Sequence, residues 1–211
     1  LALHQPLVPE HFHAVEQREV IGRSWQPVAR LAELDGPGAW VSGTLAGEPW
    51  VVVRGADGEL RGFHNTCRHK GREVVQGCGR SEQLVCGYHG WSSDLERRLR
   101  SAPRMAGIED FDRESMALPP LAVETFGPWV MLNLDPQAPS LAGQIAALDE
   151  RLARTGWERL HFVDRRVWDI GCNWKVYVDN YLDGGYHIPH MHPTLDAQLD
   201  MSTYRTDLFG T

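Results

Sequence analysis

The spacing of apolar and polar residues changes several times along this chain, and each change marks an element. After Pro9, residues 10–24 repeat every three to four positions, which predicts an amphipathic helix with the proline at its first turn. Four short β-branched and aromatic segments follow at 26–31, 39–45, 48–54 and 59–64, and all read as strands. Gly55-Ala56-Asp57-Gly58 separates the last two and predicts a hairpin turn. Strand patterns resume at 83–86, 121–126 and 128–134, so a small all-β module is expected at about 26–135.

Beyond the proline- and alanine-containing stretch 135–139, the pattern predicts a helix from Ser140, a suitable N-cap, to Arg154. A strand is expected at 160–171 and a helix at 173–187. Pro189 disfavours helical geometry at Ile188, so the chain should turn there. No internal repeat or low-complexity tract interrupts this order. The predicted division is 1–25, 26–135 and 136–211.

Composition narrows the classes. With 42% apolar and 23% charged residues over 211 positions, the chain can bury a real core. A formal charge of −7 argues against a nucleic-acid footprint, and the short run Arg97-Arg98-Leu99-Arg100 reads as a solvated turn. The alternative reading of that run is a docking patch for an acidic electron donor. No apolar run approaches the roughly 18 residues that span a bilayer, and a cytoplasmic location is expected. Cys78 and Cys172 read as buried or free thiols, in keeping with a reducing compartment.

The candidate chemistry lies first in His64-Asn65-Thr66-Cys67-Arg68-His69-Lys70-Gly71 and Cys86-Gly87-Tyr88-His89-Gly90-Trp91. Each arm brings one thiol and one imidazole, C-x-H and then C-x-x-H. A [2Fe–2S] centre held by two Cys and two His is the Rieske arrangement. Structural zinc is the alternative, since it also takes two sulfur and two nitrogen ligands, though zinc fingers pair C-x₂₋₄-C with H-x₃₋₅-H. A disulfide between Cys67 and Cys86 would leave both histidines unexplained.

A second constellation runs from Asn173 to Pro193. On a helix, Asp179, Asp183 and His187 fall at i, i+4 and i+8, on one face. A turn at Pro189 would return His192 toward the same point, and His187 with His192 would supply two legs of a 2-His-1-carboxylate site, the mark of non-haem Fe(II) oxygenases. His190 competes with His192 as the second imidazole.

Taken together, the two motifs resemble the α subunits of Rieske non-haem iron oxygenases, the ring-hydroxylating oxygenase family. Asn173-Trp174-Lys175 and Asp179-Asn180-Tyr181-Leu182-Asp183-Gly184-Gly185-Tyr186-His187 look closest to the branch acting on quaternary ammonium compounds, which includes choline monooxygenase and glycine betaine demethylase. The resemblance implies an α+β fold: a small all-β Rieske domain, then the start of a helix-grip catalytic domain in which an antiparallel sheet packs on helices. Residues 1–25 would be a leading helix of the catalytic domain.

By the same resemblance, Cys67 and Cys86 hold one iron, His69 and His89 the other, and His187 and His192 bind a mononuclear iron. An acid before the first histidine passes electrons between centres of neighbouring subunits. Many members place it three residues before that histidine, where this chain has Gly184, so Asp183 is the candidate and Asp179 its rival. The third iron ligand would lie beyond Thr211, since Asp196, Asp200 and Asp207 match no family position; the sequence thus reads as part of a longer protein.

The implied reaction is hydroxylation by O₂ of a methyl or methylene group, N-demethylation included. Alternatives are hydroxylation or O-demethylation of an aromatic compound, and a Rieske ferredoxin-type electron carrier. No G-x-G-x-x-G fingerprint is present, so NAD(P)H would act only through a separate reductase or ferredoxin. A homotrimer is implied. Trp91 and Ser93 stand where respiratory Rieske proteins place hydroxyl donors to the cluster, which predicts a potential toward the low end of the Rieske range.

Overall fold

The computed structural model describes residues 10–105 and 107–205; Pro9 lies outside them. It divides into two compact units, His11–Phe162 and one beginning at Val163. In chain order the first contains α1 (Glu10–Glu19), β1 (Gln26–Arg30), β2 (Ala39–Leu45), β3 (Glu48–Arg54), β4 (Leu60–His64) and β5 (Cys78–Arg80). Then come β6 (Gln83–Val85), β7 (Ser92–Asp94), β8 (Leu99–Ser101), β9 (Pro120–Phe126), β10 (Trp129–Asn133) and α2 (Leu141–Ala153). The strands form a seven-stranded sheet in the order β1-β10-β9-β4-β3-β2-β5 and a three-stranded sheet β6-β7-β8. Every pairing is antiparallel.

β3 decides where the cores lie. Trp50, Val51, Val52 and Val53 are all at most 5% exposed, and successive side chains on a strand face opposite ways. Val51 and Val53 therefore enter one core with Phe63, Leu84 and Leu118, while Trp50 and Val52 enter another with Leu34, Val130 and Leu132. Each buried valine is worth about 1.5–3 kcal/mol. The first core matters for function because Cys67, Cys86 and Trp91 belong to it.

Turn chemistry closes the β3–β4 hairpin as the sequence predicts. At the β3–β4 turn Gly55 N–H donates to the Glu59 carbonyl (2.8 Å), Gly58 takes φ +84°, and Asp57 pairs with Arg61 through both carboxylate oxygens. Ala46 and Gly47, at φ +51° and +83°, form the two-residue link between β2 and β3.

Four expectations need correction. The helix predicted at 10–24 stops at Glu19 and gives way to a 3₁₀ turn over Ile21–Arg23. Gly22 is buried there, where an added Cβ would come within 3.2 Å of the Gln17 carbonyl, so the chain tightens around a close approach. Ser140 does not cap α2 with its side chain; the Glu124 carboxylate on β9 accepts the Leu141 N–H (3.2 Å) instead. A half-buried glutamate on a neighbouring strand thus supplies the anion that favours a helix N-terminus.

The strand expected at 160–171 does not form: the segment has no regular structure and no ladder partner, with Phe162 at 54% and Val163 at 92% exposure. Strand geometry needs a partner's backbone groups, and no described strand borders this segment. The fourth correction lies in the second unit, where α3 (Trp174–Leu182) is followed by α4 (Ile188–Met191) and α5 (Pro193–Asp196). The helix predicted to reach 187 ends at Leu182 because Gly184 and Gly185 adopt φ +76° and +74°. Asn173 caps its start, its side chain accepting the Lys175 N–H at 3.0 Å.

Candidate metal centres

Two loops of the same construction meet on the core beside β3. In the first, Cys67 N–H donates to the Arg72 carbonyl (2.8 Å) and Gly71 N–H donates to the Cys67 carbonyl (2.9 Å). The second repeats this: Cys86 N–H donates to the Trp91 carbonyl (2.8 Å) and Gly90 N–H to the Cys86 carbonyl (3.0 Å). Gly71 and Gly90 close the turns at φ +72° and +73°, a region that side chains resist. The arms differ only in whether the histidine stands two or three residues after the cysteine.

Cys67 and Cys86 are 7% and 3% exposed free thiols. Burial pushes the Cys67 thiol up, against the pull of the His69 and Lys70 backbone N–H groups directed at it. The imidazoles lie outward of the sulfurs: His69 is half-buried and His89 exposed, with ring centroids 4.6 Å apart. Burial, with the charges of His89 and Lys70, holds His69 below its ordinary value and so keeps it a neutral donor. Its Nδ1 is buried without a partner, an arrangement that costs free energy unless a ligand fills it.

These observations fit a [2Fe–2S] cluster. It would use both buried thiols and the orphaned ring nitrogen, and it distributes four ligands over two irons.

The residues that hold these arms carried little signal in the sequence. Asn65, 1% exposed, donates from Nδ2 to the Val75 carbonyl (2.7 Å) and accepts the Val74 and Val75 N–H groups at Oδ1 (3.1 Å each). It ties the two ends of the first loop together. Trp91 stacks on His69 with centroids 4.8 Å apart and planes 6° from parallel, and Phe111 meets Trp91 edge-on. β7, with Ser92, Ser93 and Asp94 all buried, backs the second loop; its polar sequence has no strand pattern. Asp94 accepts the Arg98 N–H (2.8 Å) and Arg98 Nε (2.9 Å), so the basic run from Arg97 to Arg100 forms a hairpin in which Leu99 is buried.

In the second unit the chain turns at Gly184 and Gly185, yet Asp183 and His187 still meet. Asp183 Oδ2 lies 2.5 Å from His187 Nδ1, and Oδ1 accepts the Gly185 N–H (2.8 Å). The hydrogen bond with His187 holds the Asp183 carboxyl below its ordinary value. With Nδ1 engaged, Nε2 is the nitrogen left for a metal, the arrangement in which a carboxylate orients a ligating histidine. His187 and His192 meet edge-on with ring centroids 5.3 Å apart, whereas His190 makes its ring contact with Tyr186, at 6.2 Å. Asp179 is exposed on α3 and no hydrogen bond joins it to either histidine. Asp196 closes α5, Asp200 caps its own turn, and Asp207 lies outside the described residues. A cavity of about 470 Å³ opens beside the two imidazoles, lined also by Tyr177, Asn180, Tyr181 and Tyr204.

An antiparallel β module carrying paired Cys/His loops, together with a second unit in which Asp183 supports His187 close to His192, is the arrangement an iron–sulfur oxygenase needs. Residues 24–112 match the Rieske [2Fe-2S] domain and residues 157–209 the ring hydroxylating alpha subunit catalytic domain; the chain belongs to the Rieske oxygenase α-subunit family.

Choline monooxygenase (chloroplastic) from Arabidopsis thaliana is 37% identical over 94% of this chain and 50% of its own length. The oxygenase subunit of carnitine monooxygenase from Acinetobacter pittii is 34% identical over 90% of this chain and 52% of its own. The chain therefore spans about half the length of these relatives. The crystal structure of the quaternary ammonium Rieske monooxygenase CntA with L-carnitine superposes with a TM-score of 0.80 at 34% identity, covering 87% of this chain and 53% of that one. Naphthalene 1,2-dioxygenase bound to phenanthrene gives 0.78 at 26% identity, covering 89% and 44%.

Proposed function

We propose that this chain is the Rieske-bearing part of an oxygenase that hydroxylates a methyl or methylene group of a quaternary ammonium compound, with N-demethylation as one outcome. The observation that carries this reading is the pair of matched loops, whose buried thiols and orphaned His69 Nδ1 fit a [2Fe–2S] cluster. Cys67, His69, Cys86 and His89 are its ligands; His187 and His192 are two ligands of a mononuclear iron. When bound, these centres supply one-electron transfer and O₂ activation.

The chain's own residues supply position and recognition. Asp183 fixes His187 through Nδ1, and its carboxylate is the route for electrons arriving from a neighbouring subunit's cluster in a homotrimer. The cavity favours a cationic substrate. Tyr177, Tyr181 and Tyr204 keep 50%, 70% and 45% of their surface open, and aromatic faces attract quaternary ammonium groups. Electrons come from NAD(P)H through a separate reductase or ferredoxin. Cys78 and Cys172, exposed and not joined in a disulfide, are in keeping with a reducing, cytoplasmic setting. No helix of the described residues is long and apolar enough to cross a membrane.

The test is product analysis with choline, glycine betaine, carnitine and an aromatic acid, alongside iron counting. Three irons per chain and a hydroxylated or demethylated ammonium product are expected. Two irons per chain would identify an electron carrier, and turnover of the aromatic acid alone would move the protein to the aromatic branch, which the naphthalene dioxygenase likeness supports. Asp183→Ala should leave both centres filled while substrate turnover falls; unchanged turnover removes the bridging role.

A further inference from the structure

We propose that the indole N–H of Trp91 donates a hydrogen bond to the sulfur of the iron–sulfur centre and helps set its reduction potential. This rests on reading Cys67, His69, Cys86 and His89 as the cluster ligands. Four buried side-chain polar atoms among the described residues lack a partner: Nε1 of Trp50, Trp91 and Trp157, and Nδ1 of His69. Ligation accounts for His69. Trp50 lies flat over Gly43, where an added Cβ would fall 2.7 Å from the ring, and Trp157 covers Gly127 in the same way. Packing on bare backbone therefore fixes those two rings.

Trp91 is different. It is 4% exposed, held parallel to His69 and pinned by Phe111. It lines a narrow cavity whose walls include Cys67, Cys86, Ser93, Val74 and Leu99. An indole N–H can only donate. In that lining the side-chain acceptors are the two cysteine sulfurs, the Ser93 hydroxyl and the Met116 thioether, the last a weak and uncharged one, joined by the bridging sulfides when the cluster is bound, while Arg68 only donates. Added electrons raise the negative charge on cluster sulfur, so a donor aimed at it stabilises the reduced state and raises the potential. Trp91 thereby replaces part of the hydrogen bonding that hydroxyl side chains supply in respiratory Rieske proteins.

The experiment is an EPR-monitored redox titration of the intact protein and Trp91→Phe, which keeps a stacked ring and removes only the donor. The variant should keep its iron and sulfide content and its rhombic signal while its midpoint potential falls. An unchanged potential with an intact cluster overturns the proposal. Repeating the comparison in a Ser93→Ala background should preserve the difference; its disappearance would make the serine the acceptor and also overturn it. If Trp91→Phe assembles no cluster, the wild type decides: with ¹⁵N at the indole nitrogens, pulsed EPR of the reduced centre should detect a weak ¹⁵N coupling beyond the two histidines, and its absence refutes the bond. A wild type without any rhombic signal removes the ligand assignment itself, and this proposal with it.

Discussion

Replacing Asn65 by Ala tests whether a side chain outside the ligand set holds the first cluster arm in place. The amide makes three bonds at 2.7, 3.1 and 3.1 Å. Val74 N–H keeps a second acceptor, the Asn65 backbone carbonyl at 3.2 Å, so the groups that lose their partner are the N–H and the carbonyl of Val75. Each unsatisfied buried group costs about 1–3 kcal/mol, which gives about 2–6 kcal/mol for the pair. Val75 is only half-buried, and water can satisfy part of the deficit, so about 2–4 kcal/mol is expected. That is a large share of a typical total stability of about 5–15 kcal/mol. Urea unfolding followed by tryptophan fluorescence measures it, since Trp50 and Trp91 are buried in the same unit. Iron content should fall in parallel because Cys67 and His69 lie inside the loop that Asn65 closes. A loss below about 0.5 kcal/mol, with normal iron content, would refute this account of the arm.

Gly71→Ala and Gly90→Ala should each cost about 1–2 kcal/mol. Nothing lies within 4 Å of an added Cβ at Gly71, and only Pro103 at 3.7 Å at Gly90, so the cost is backbone strain alone; equal and small losses in thermal unfolding at both sites are expected, and a much larger loss at either would point to a clash. Arg61, through its paired hydrogen bonds, holds the Asp57 carboxyl well below the usual carboxylate range. Its folded value being depressed, its stabilisation is present above the ordinary value near about pH 4 and is lost as pH falls through the folded value. The melting advantage of wild type over Asp57→Asn should therefore be constant from pH 5 to 7 and shrink below about pH 4; a pH-independent difference would exclude the pair as its source. Tyr181→Leu should weaken choline binding by about 2–30-fold, corresponding to about 0.5–2 kcal/mol of cation–π attraction, while binding of the neutral isostere 3,3-dimethylbutan-1-ol changes little. Equal losses for both ligands, measured by calorimetry, would make the contact merely apolar.

What the sequence determined by itself was whatever is written in local spacing. Cys67, His69, Cys86 and His89 were legible because metal ligands must recur at short intervals within one loop, and strands such as 48–54 because the run Trp50 to Val53 is apolar on both faces, as burial on two sides requires. His187 and His192 were legible for the same reason, as closely spaced imidazoles on either side of Pro189, although that proline, expected to break the helix at Ile188, stands in the first turn of α4 and the glycine pair before it ends α3. Only the tertiary structure decided the rest, since it depends on partners far along the chain. Asn65 reaches Val75, Glu124 caps a helix that Ser140 was expected to cap, and three buried polar residues form β7 because a neighbouring strand lies on each side. The helix from Trp174 was expected to reach 187, but Gly184 and Gly185, a stop signal already present in the sequence, turned it; that Asp183 stays on His187 across the turn is what the tertiary structure decided. The strand expected at 160–171 shows the converse limit, because alternating side chains can specify an extended segment but cannot provide the backbone of its partner.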